Sequence, residues 1–317
     1  MGDPELELAV ATVAEVCRLT ARLQGEIAAR GAAVAKDDRS PVTAADLAVQ
    51  VVVSSRLAEA FPDDPLLAEE SSAPLRGRPE LAAEVTALAA SLVPGLTLAE
   101  VVERLDRSGH EGSGRHWVLD PIDGTKGFVR GDQYAVVLAL VEDDRPVLGV
   151  LGCPNLGPGG RLMAARRDRG AFEHDLSGAN PRRIATDAVD RPHEAVLCTS
   201  VEYDDQTLAA TRRLAGRAGI VRPFRRLDSQ CKYALVARGE ASVYLRLPRA
   251  PGYREKVWDH AAGLLLVEEA GGRVTDLAGR AIELGSGSEL TPSAGFLASN
   301  GRLHGALLAA AASELGP

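Results

Sequence analysis

The hydrophobic positions of the first sixty residues recur at helical spacing. Residues 5–30 place apolar side chains close to one helical stripe, and Gly31 is the predicted stop. The stripe consists of Leu6, Val10, Val13, Cys17, Leu23 and Ile27. After the polar link KDDRSP, the segment TAADLAVQVVVSSRLAEAF predicts a second helix, with Thr43 as its N-cap and Phe61-Pro62 at its end. We therefore expect the chain to open with two helices.

The pattern changes to short apolar runs from Trp117 onward. Upstream of this point, residues 71–116 predict an inserted helical hairpin, with helices around 80–93 and 97–106. Downstream, YAVVLALVEDDRPVLGVLGCPN predicts two strands joined at the Glu142–Pro146 turn, and RLMAARRDRGAFEH predicts another hairpin. We expect these strands to form an antiparallel sheet.

Strand and helix patterns alternate after the polar link around residues 175–187. Segments such as EAVLCTS, SQCKYALVARG and ASVYLRL are typical of an α/β unit, and a length of about 150 residues per domain also suggests two domains. The sequence therefore predicts an N-terminal α+β domain over residues 1–185. A C-terminal α/β domain with a smaller mixed or parallel sheet is predicted over residues 186–317.

The charge balance and the cysteines exclude several classes of protein. With 36 Lys and Arg residues against 44 Asp and Glu residues, the net charge is −8, which argues against a nucleic-acid polymer as partner. Cys17, Cys153, Cys198 and Cys231 lie far apart without zinc spacing, so we expect reduced thiols in a cytoplasmic protein. The N-terminus lacks the basic region of a signal peptide, and no apolar run of about 18 residues is present. Export and a membrane partner are not expected.

The segment WVLDPIDGTKGF, residues 117–128, carries the strongest chemical signal. Asp120 and Asp123 flank Pro121, whose fixed φ predicts a backbone outside a regular helix or central strand. In such a turn, both carboxylates and the Ile122 carbonyl can face one point, which suits a hard divalent cation.

The next two residues add a possible anion site. A helix or turn that starts at Gly124 and Thr125 would aim free backbone N–H groups at an anion, so that metal and phosphate would meet here. The alternative is an ordinary turn between strands, because Asp, Pro and Gly are the usual turn formers.

Further acids are candidates for the same site, and each has a structural alternative. Glu69 and Glu70 follow an apolar pair, so a short strand could deliver one carboxylate, unless the two are only a solvated acidic pair. Asp259 stands at the start of a predicted helix, where it is either a metal ligand or a cap that contributes about 1 kcal/mol. Asp46 fits the acid position of a capping box that begins at Thr43, which is the favoured interpretation for that residue alone.

Histidine and the basic residues give weaker signals. His260 is interpreted as a satisfied first-turn histidine, and because no second histidine lies at zinc spacing, we do not expect a zinc site. Lys232, Arg246, Arg225 and Arg226 are of a type that is usually solvated, yet within the second domain they could neutralise a phosphate-bearing substrate.

Three motifs in the order AEES, DPIDGT and WDHAAG resemble the lithium-sensitive, magnesium-dependent phosphatase superfamily that includes inositol monophosphatase and fructose 1,6-bisphosphatase. Within it, SPVTAAD, DPIDGTKGF, LDSQCKY, VYLRLP and YREKVWDHAAG resemble the 3'(2'),5'-bisphosphate nucleotidases, over residues from about 5 to 310. The resemblance implies an α/β fold, a layered αβαβα sandwich of the inositol monophosphatase type. It also implies inhibition by Li+.

The resemblance assigns roles to individual residues. It implies that up to three Mg2+ ions are bound by Glu69, Asp120, Asp123, Asp259 and the Ile122 carbonyl. Asp46 and Thr125 would orient and deprotonate the attacking water, and the Gly124 and Thr125 amides would hold the transferred phosphate. Ser229, Lys232 and Arg246 would contact the phosphate and sugar on the adenosine side of a nucleotide.

The favoured function is removal of the 3'-phosphate from 3'-phosphoadenosine 5'-phosphate, with the 5'-phosphosulfate as a further candidate substrate, as in sulfur metabolism. One alternative keeps the chemistry but takes an inositol or sugar phosphate, and another is a non-catalytic nucleotide sensor. The stretch SVEYDDQT, residues 200–207, departs from related enzymes, which often have a histidine in this loop. That departure concerns the contact with the base. For the assembly, a monomer and a homodimer both remain open.

Overall fold

Helices occupy the start of the chain, and strands and helices alternate after it. The computed structural model describes residues 2–30, 40–109, 114–248, 253–284, 287–290 and 295–315. The helices are α1 (Pro4–Arg30), α2 (Ser40–Ala60), α3 (Pro79–Ala90), α4 (Leu98–Asp106), α5 (Thr125–Arg130), α6 (Asp205–Arg217), α7 (Cys231–Ala237), α8 (Ala261–Glu269) and α9 (His304–Leu315). The strands are β1 (Leu66–Ala68), β2 (His116–Asp123), β3 (Ala135–Glu142), β4 (Arg145–Cys153), β5 (Arg161–Arg166), β6 (Gly170–Asp175), β7 (Arg182–Ile184), β8 (Leu197–Ser200), β9 (Arg225–Leu227), β10 (Val243–Arg246), β11 (Arg273–Asp276) and β12 (Phe296–Ser299).

The strands form two sheets. The first has seven strands in the chain order β1 to β7, and all its neighbours are antiparallel except β1 and β2, which are parallel. The second has five strands in the order β11-β12-β10-β8-β9, and it is mixed, with parallel pairing of β10, β8 and β9. The predicted antiparallel sheet followed by a smaller mixed sheet is confirmed.

Both faces of the first sheet are covered, and the alternation along β3 shows how. Val136, Leu138 and Leu140 belong to the apolar cluster under α1 and α2. Val137 and Ala139 point to the opposite side and belong to the cluster that contains α7 and α8. Successive strand residues face opposite sides of a sheet, so a continuous apolar run such as β3 suits a strand that is buried on both faces.

The second sheet completes a stack of five layers. Tyr244 of β10 belongs to the cluster shared with α7 and α8, whereas Val243 and Leu245 pack with α6 and α9. The order of layers is therefore α1 and α2, the seven-stranded sheet, α7 and α8, the five-stranded sheet, and α6 and α9. This is the αβαβα sandwich that the sequence resemblance implied.

Two glycines of β4 let helices approach the first sheet closely. A Cβ atom on Gly149 would lie 2.9 Å from the Cα atom of Ala262 in α8, and a Cβ atom on Gly152 would lie 2.2 Å from Sγ of Cys17 in α1. Because the two glycines face opposite sides of the strand, Gly149 allows the close approach of α8 and Gly152 that of α1.

The N-terminal cap predicted for α2 is wrong. The helix begins at Ser40 rather than after Thr43, because a proline at the following position is compatible with the first helical turn. Asp46 therefore lies in the second turn and is only 5% exposed. The capping interpretation of Asp46 does not hold.

The expectation that Pro121 keeps its neighbours out of a central strand is also wrong. Strand β2 continues to Asp123 between β1 and β3. Its pairing with β3 changes register, since Asp120 faces Val137 and Asp123 faces Ala135, so that β2 has one extra residue. Proline is tolerated at such bulges because one ladder hydrogen bond is already missing there.

The inserted helical hairpin and the domain division complete the comparison with the sequence. Helices α3 and α4 occupy the predicted insertion, and Thr97 caps α4 in a reciprocal capping box with Glu100. The predicted boundary at residue 185 lies between β7 and β8, which belong to different sheets. The division into two domains stays a prediction, and one apolar cluster contains residues from both sheets.

Candidate active site

A cleft of about 660 Å³ opens where the ends of β1 and β2 meet the start of α5 and the turn before α8. Its lining includes every residue that the sequence resemblance assigned to metal, namely Glu69, Asp120, Ile122, Asp123 and Asp259. Gly124 and Thr125, the predicted phosphate-binding residues, line the same cleft. The structure thus brings together residues as far apart in the sequence as Glu69 and Asp259.

Strand register places the first two carboxylates side by side. In the parallel pairing of β1 with β2, Ala68 faces Leu119, so Glu69 and Asp120 follow next to each other. After the bulge in β2, Gly124 adopts a left-handed conformation with φ of 87° and precedes α5. A Cβ atom there would lie 3.0 Å from Cβ of Ser229, so glycine meets both the backbone and the space requirement.

The acidic side chains of the cleft disfavour one another's charge. Burial, followed by the charges of Glu69 and Asp123, raises the pKa of Asp120 well above its ordinary range. Burial and the Asp259 charge raise the pKa of Asp123 to about 7. Desolvation and neighbouring carboxylates likewise raise the pKa of Glu69 to about 7, although a hydrogen bond with Asp120 partly offsets this. The cluster is short of positive charge.

This donor set fits a divalent cation. Oδ1 of Asp120 is buried and makes no hydrogen bond within the described part of the chain, which is costly for a carboxylate oxygen. The surrounding donors are carboxylate and carbonyl oxygens, the ligands that Mg2+ prefers. A bound cation would satisfy the buried oxygen and offset the repulsion among the acids.

Asp46 and Thr125, the predicted water-activating pair, come from different elements. Asp46 lies on α2, where burial and then the charges of Glu70 and Glu69 raise its pKa well above the ordinary range. The Thr125 hydroxyl lies in the cleft and donates to the Ile122 carbonyl at 3.2 Å. The charge of Asp46 contributes to the raised pKa of Asp120, but Asp46 is not among the residues that line the cleft or the small pocket.

A smaller pocket of about 70 Å³ adjoins the cleft and shares Asp123 and Asp259 with it. Ser229, Lys232 and Arg246, the predicted nucleotide contacts, all line this pocket. The resemblance-based assignments therefore fall into two neighbouring regions, one acidic and one that contains two cations.

Both cations of the small pocket already have protein partners. Lys232 is 4% exposed, its Nζ donates to the Leu227 carbonyl at 3.3 Å, and it lies 5.5 Å from the centre of the Tyr244 ring. Arg246 donates from Nη2 to Oδ2 of Asp259 at 3.0 Å. By contrast, Arg225 pairs with Glu240, and neither it nor Arg226 lines the two described pockets.

The comparisons with known proteins identify the family of this chain. Residues 4–316 match the inositol monophosphatase family. The chain belongs to this family. Among curated relatives, 3'(2'),5'-bisphosphate nucleotidases from Oryza sativa and Schizosaccharomyces pombe are 39% and 37% identical. The matches cover 98% and 93% of this chain and 94% and 91% of the relatives.

Solved structures of the inositol monophosphatase family share the fold. The Thermotoga maritima IMPase superposes with a TM-score of 0.69 at 24% identity, covering 99% of this chain and 98% of its own. CysQ from Bacteroides thetaiotaomicron, described as a bacterial member of the inositol monophosphatase family, gives a TM-score of 0.62 at 21% identity, covering 94% and 97% of the two chains.

Gln230 organises this family member's site, and the sequence analysis gave it no role. Its backbone N–H donates to Oδ2 of Asp123 at 2.5 Å, next to Ser229, which has a left-handed φ of 61°. The Gln230 side chain donates to the Trp258 carbonyl at 2.7 Å and accepts from the Gly263 N–H at 3.2 Å. An uncharged amide that links distant segments leaves no signal in spacing or composition.

A network of ion pairs at the cleft edge was also missed. Glu202, in the SVEYDDQT stretch that differs from related enzymes, pairs with Lys126 at 3.1 Å and with Arg130 at 2.7 Å. Arg130 pairs in turn with Asp228 at 3.1 Å. Glu202 therefore holds this loop against α5.

Glu255 was also missed by reasoning from the sequence. Ligand atoms of Glu255, Asp259 and His260 all lie within 4.8 Å of one another. Both ring nitrogens of His260 have partners, since Nδ1 lies 2.8 Å from the Tyr233 hydroxyl and Nε2 lies 3.4 Å from Glu255. This agrees with the interpretation of His260 as a satisfied histidine.

Two further expectations concern the whole chain. Within the described ranges, each helix is too short or too polar to cross a lipid bilayer. Cys17, Cys153, Cys198 and Cys231 are free and buried.

Proposed function

We propose that this chain is a Mg2+-dependent phosphohydrolase that removes the 3'-phosphate from 3'-phosphoadenosine 5'-phosphate. The observation that carries the proposal is the pair of adjoining pockets, one lined by predicted metal ligands and one by Lys232 and Arg246, with Asp123 and Asp259 common to both. The names of the curated relatives support the nucleotide as substrate. A cytoplasmic location and the 5'-phosphosulfate as a second substrate belong to the same proposal.

Glu69, Asp120, Asp123, Asp259 and the Ile122 carbonyl would hold up to three Mg2+ ions in the cleft. When bound, Mg2+ lowers the pKa of water and offsets charge on the phosphoryl oxygens. The crowded carboxylates prepare the site for this, because a bound cation relieves their mutual repulsion. The protein therefore contributes a cluster of oxygen donors that lines the cleft.

Thr125 and Asp46 would orient the attacking water and accept its proton. In this proposal the Thr125 hydroxyl orients the water from the cleft wall, and the Asp46 carboxylate receives its proton. The backbone N–H groups of Gly124 and Thr125 hold the phosphate that is transferred. The fixed turn at Gly124 supports this role, since its left-handed backbone and its close approach to Ser229 leave little freedom.

The smaller pocket would bind the second phosphate of the nucleotide, the one that is not hydrolysed. Lys232 and Arg246 provide positive charge for the second phosphate, and Ser229 provides a hydroxyl next to them. An inositol monophosphate carries no second phosphate and would leave this pocket without a charged partner. We therefore favour a bisphosphate over a monophosphate substrate.

The test is phosphate release from 3'-phosphoadenosine 5'-phosphate, measured beside inositol 1-phosphate and fructose 1,6-bisphosphate, with Mg2+ and with a chelator. We expect Mg2+-dependent turnover of the nucleotide and little of the other esters. Turnover of the inositol or sugar ester alone would refute the nucleotide pocket. Turnover of no ester would favour a non-catalytic nucleotide sensor.

A further inference from the structure

A chain of hydrogen bonds runs from the core to the candidate active site. The Tyr233 hydroxyl lies 2.8 Å from Nδ1 of His260, and Nε2 of His260 lies 3.4 Å from Oε2 of Glu255. Oε1 of Glu255 accepts from Nε of Arg246 at 3.0 Å, and its second oxygen pairs with Nη2 of the same guanidinium. The last contact joins Nη2 of Arg246 to Oδ2 of Asp259 at 3.0 Å.

The members of this chain are shielded from solvent. The side chain of His260 is fully buried, and those of Glu255 and Arg246 are 10% and 13% exposed. Burial alone would raise the pKa of Glu255, but hydrogen bonding to His260 and attraction to Arg246 outweigh it and lower the value to about 2. Glu255 is therefore an anion throughout the physiological range.

Glu255 fixes the orientation of Arg246 by contacting two of its nitrogens. Paired hydrogen bonds between a guanidinium and a carboxylate define a plane, which a single bond does not. With that plane fixed, Arg246 contacts Asp259 and also lines the small pocket. Asp259 in turn lines both the pocket and the cleft.

The same atoms do not favour a metal site between Glu255, Asp259 and His260. Arg246 already donates to both carboxylates of this trio, so a cation placed among them would face a guanidinium. The arrangement suits an anchored arginine instead.

We propose that Glu255 is a positioning residue, which holds Arg246 so that one guanidinium both orients Asp259 and faces the second phosphate of the substrate. The part that concerns the phosphate rests on the proposed function. The part that concerns Asp259 requires only that this carboxylate takes part in cation binding. Neither part follows from the three sequence motifs, because Glu255 acts through Arg246, which lies in strand β10.

A double-mutant cycle with calorimetric Mg2+ binding tests the proposal without any substrate. Glu255→Gln should weaken Mg2+ binding by about 10-fold, the lower end of the effect of residues that orient metal ligands. Arg246→Met removes both the orienting contact and a positive charge beside Asp259, so the cycle uses this variant as the background in which the effect of Glu255→Gln is measured again. If Glu255 acts through Arg246, adding Glu255→Gln to Arg246→Met changes the affinity less than about 2-fold. An undiminished effect of Glu255→Gln in the Arg246→Met background would overturn the proposal, and so would unchanged binding in Glu255→Gln alone.

The second readout is the KM for 3'-phosphoadenosine 5'-phosphate, which should follow the same non-additive pattern. Glu268→Gln is the matched control, since Glu268 pairs with Arg167 at 2.9 Å and lies outside both pockets. It should leave Mg2+ affinity and KM unchanged. If the Gln variant does not fold, Glu255→Asp replaces it in the cycle, because it keeps the charge but is too short for both contacts.

The two readouts separate the failure of this inference from the failure of the proposed function. A wild-type protein that does not turn over the nucleotide would refute the proposed function, while the Mg2+-binding cycle would still decide whether Glu255 acts through Arg246. A nucleotide-active wild type with additive variants would refute the positioning role alone.

Discussion

The cleft and the small pocket lie side by side and share three aspartates, Asp123, Asp228 and Asp259, yet they handle charge in opposite ways. In the cleft, Asp120 and Asp123 repel each other and their neighbours, and one oxygen of Asp120 is buried without a partner among the described residues. In the small pocket, Lys232 and Arg246 each have oxygen atoms of the protein within hydrogen-bonding distance. The two lysines that line the cleft, Lys126 and Lys256, pair with Glu202 and Glu289 rather than with the predicted metal ligands. The small pocket, by contrast, contains two cations of its own.

This difference indicates what each region gains from a ligand. A cation entering the cleft relieves a repulsion that the fold has built in, so binding and stability are directly linked. A phosphate entering the small pocket must share cations that already have partners, so its gain is smaller and depends on geometry. We therefore expect variants of the cleft to have larger effects than variants of the pocket.

The largest expected effect is that of Asp120→Asn. Losing this donor should lower turnover by about 10³-fold, or roughly 4 kcal/mol of transition-state stabilisation. The same change should raise the Tm of chelator-treated protein, because it removes a charge from the repulsive cluster. Turnover and differential scanning calorimetry check the two effects.

Asp63→Asn, at an exposed position, is the control for Asp120→Asn and should change neither quantity. A lower turnover together with a higher Tm of the chelator-treated protein would show that Asp120 serves function at the expense of stability. A fall in both would contradict the account of the cleft.

The next effect belongs to the small pocket. Lys232→Met should raise the KM for 3'-phosphoadenosine 5'-phosphate by about 10- to 100-fold, the range expected for a charged hydrogen bond of roughly 1.5–3 kcal/mol. The KM for adenosine 3'-monophosphate should change much less, because that substrate lacks the second phosphate. Steady-state kinetics on both substrates measures the split.

An equal rise in KM for the two substrates would show that Lys232 does not contact the second phosphate. Folding should survive the change, since Met has a similar shape and needs no counter-charge in its buried surroundings.

A smaller effect concerns pH. The pKa values of Glu69 and Asp123 are about 7 in the folded chain and near 4 when unfolded, so the folded state holds more protons between these values. Through these two groups, the stability of the metal-free protein should therefore fall as the pH rises from about 4 to 7, and their contribution should level off above that range. Saturating Mg2+ should reduce the fall. A series of Tm measurements with chelator and with Mg2+ tests this, and parallel curves would contradict it.

The smallest effect is expected for Glu202→Gln at the cleft edge. Its ion pairs with Lys126 and Arg130 are partly exposed, and such pairs contribute about 0–1 kcal/mol. Urea unfolding should show a decrease in the free energy of unfolding within that range. A decrease of more than about 2 kcal/mol would mean that the loop is held more firmly than the exposure of its ion pairs implies.

The sequence predicted the residues that line the cleft better than the residues that hold them in place. The motif around Asp120 and Asp123 carries its own signal, because two acids and a proline in five residues restrict the backbone and concentrate charge. Glu69 and Asp259 gained significance only through resemblance. The local pattern placed Asp46 wrongly, in the first turn of a helix capped by Thr43. It did not show that α2 begins earlier, at Ser40, with a proline in its first turn.

The roles of Gln230 and Glu255 were beyond local reasoning. Gln230 contacts Asp123 across 107 positions, and the effect of Glu255 passes through Arg246 of another element. Such contacts depend on how the two sheets stack around α7 and α8. The bulge at Pro121 is similar, because only the pairing of β2 with β3 shows that the strand continues through the proline.

The most direct test of the central claim is the ratio of kcat/KM for 3'-phosphoadenosine 5'-phosphate to that for adenosine 3'-monophosphate, measured on the wild-type protein with Mg2+. The account predicts a preference for the bisphosphate of at least about 10-fold, because one phosphate reacts in the cleft while the other is held by Lys232 and Arg246. Equal values for the two substrates would contradict it, since the small pocket would then contribute nothing to substrate choice.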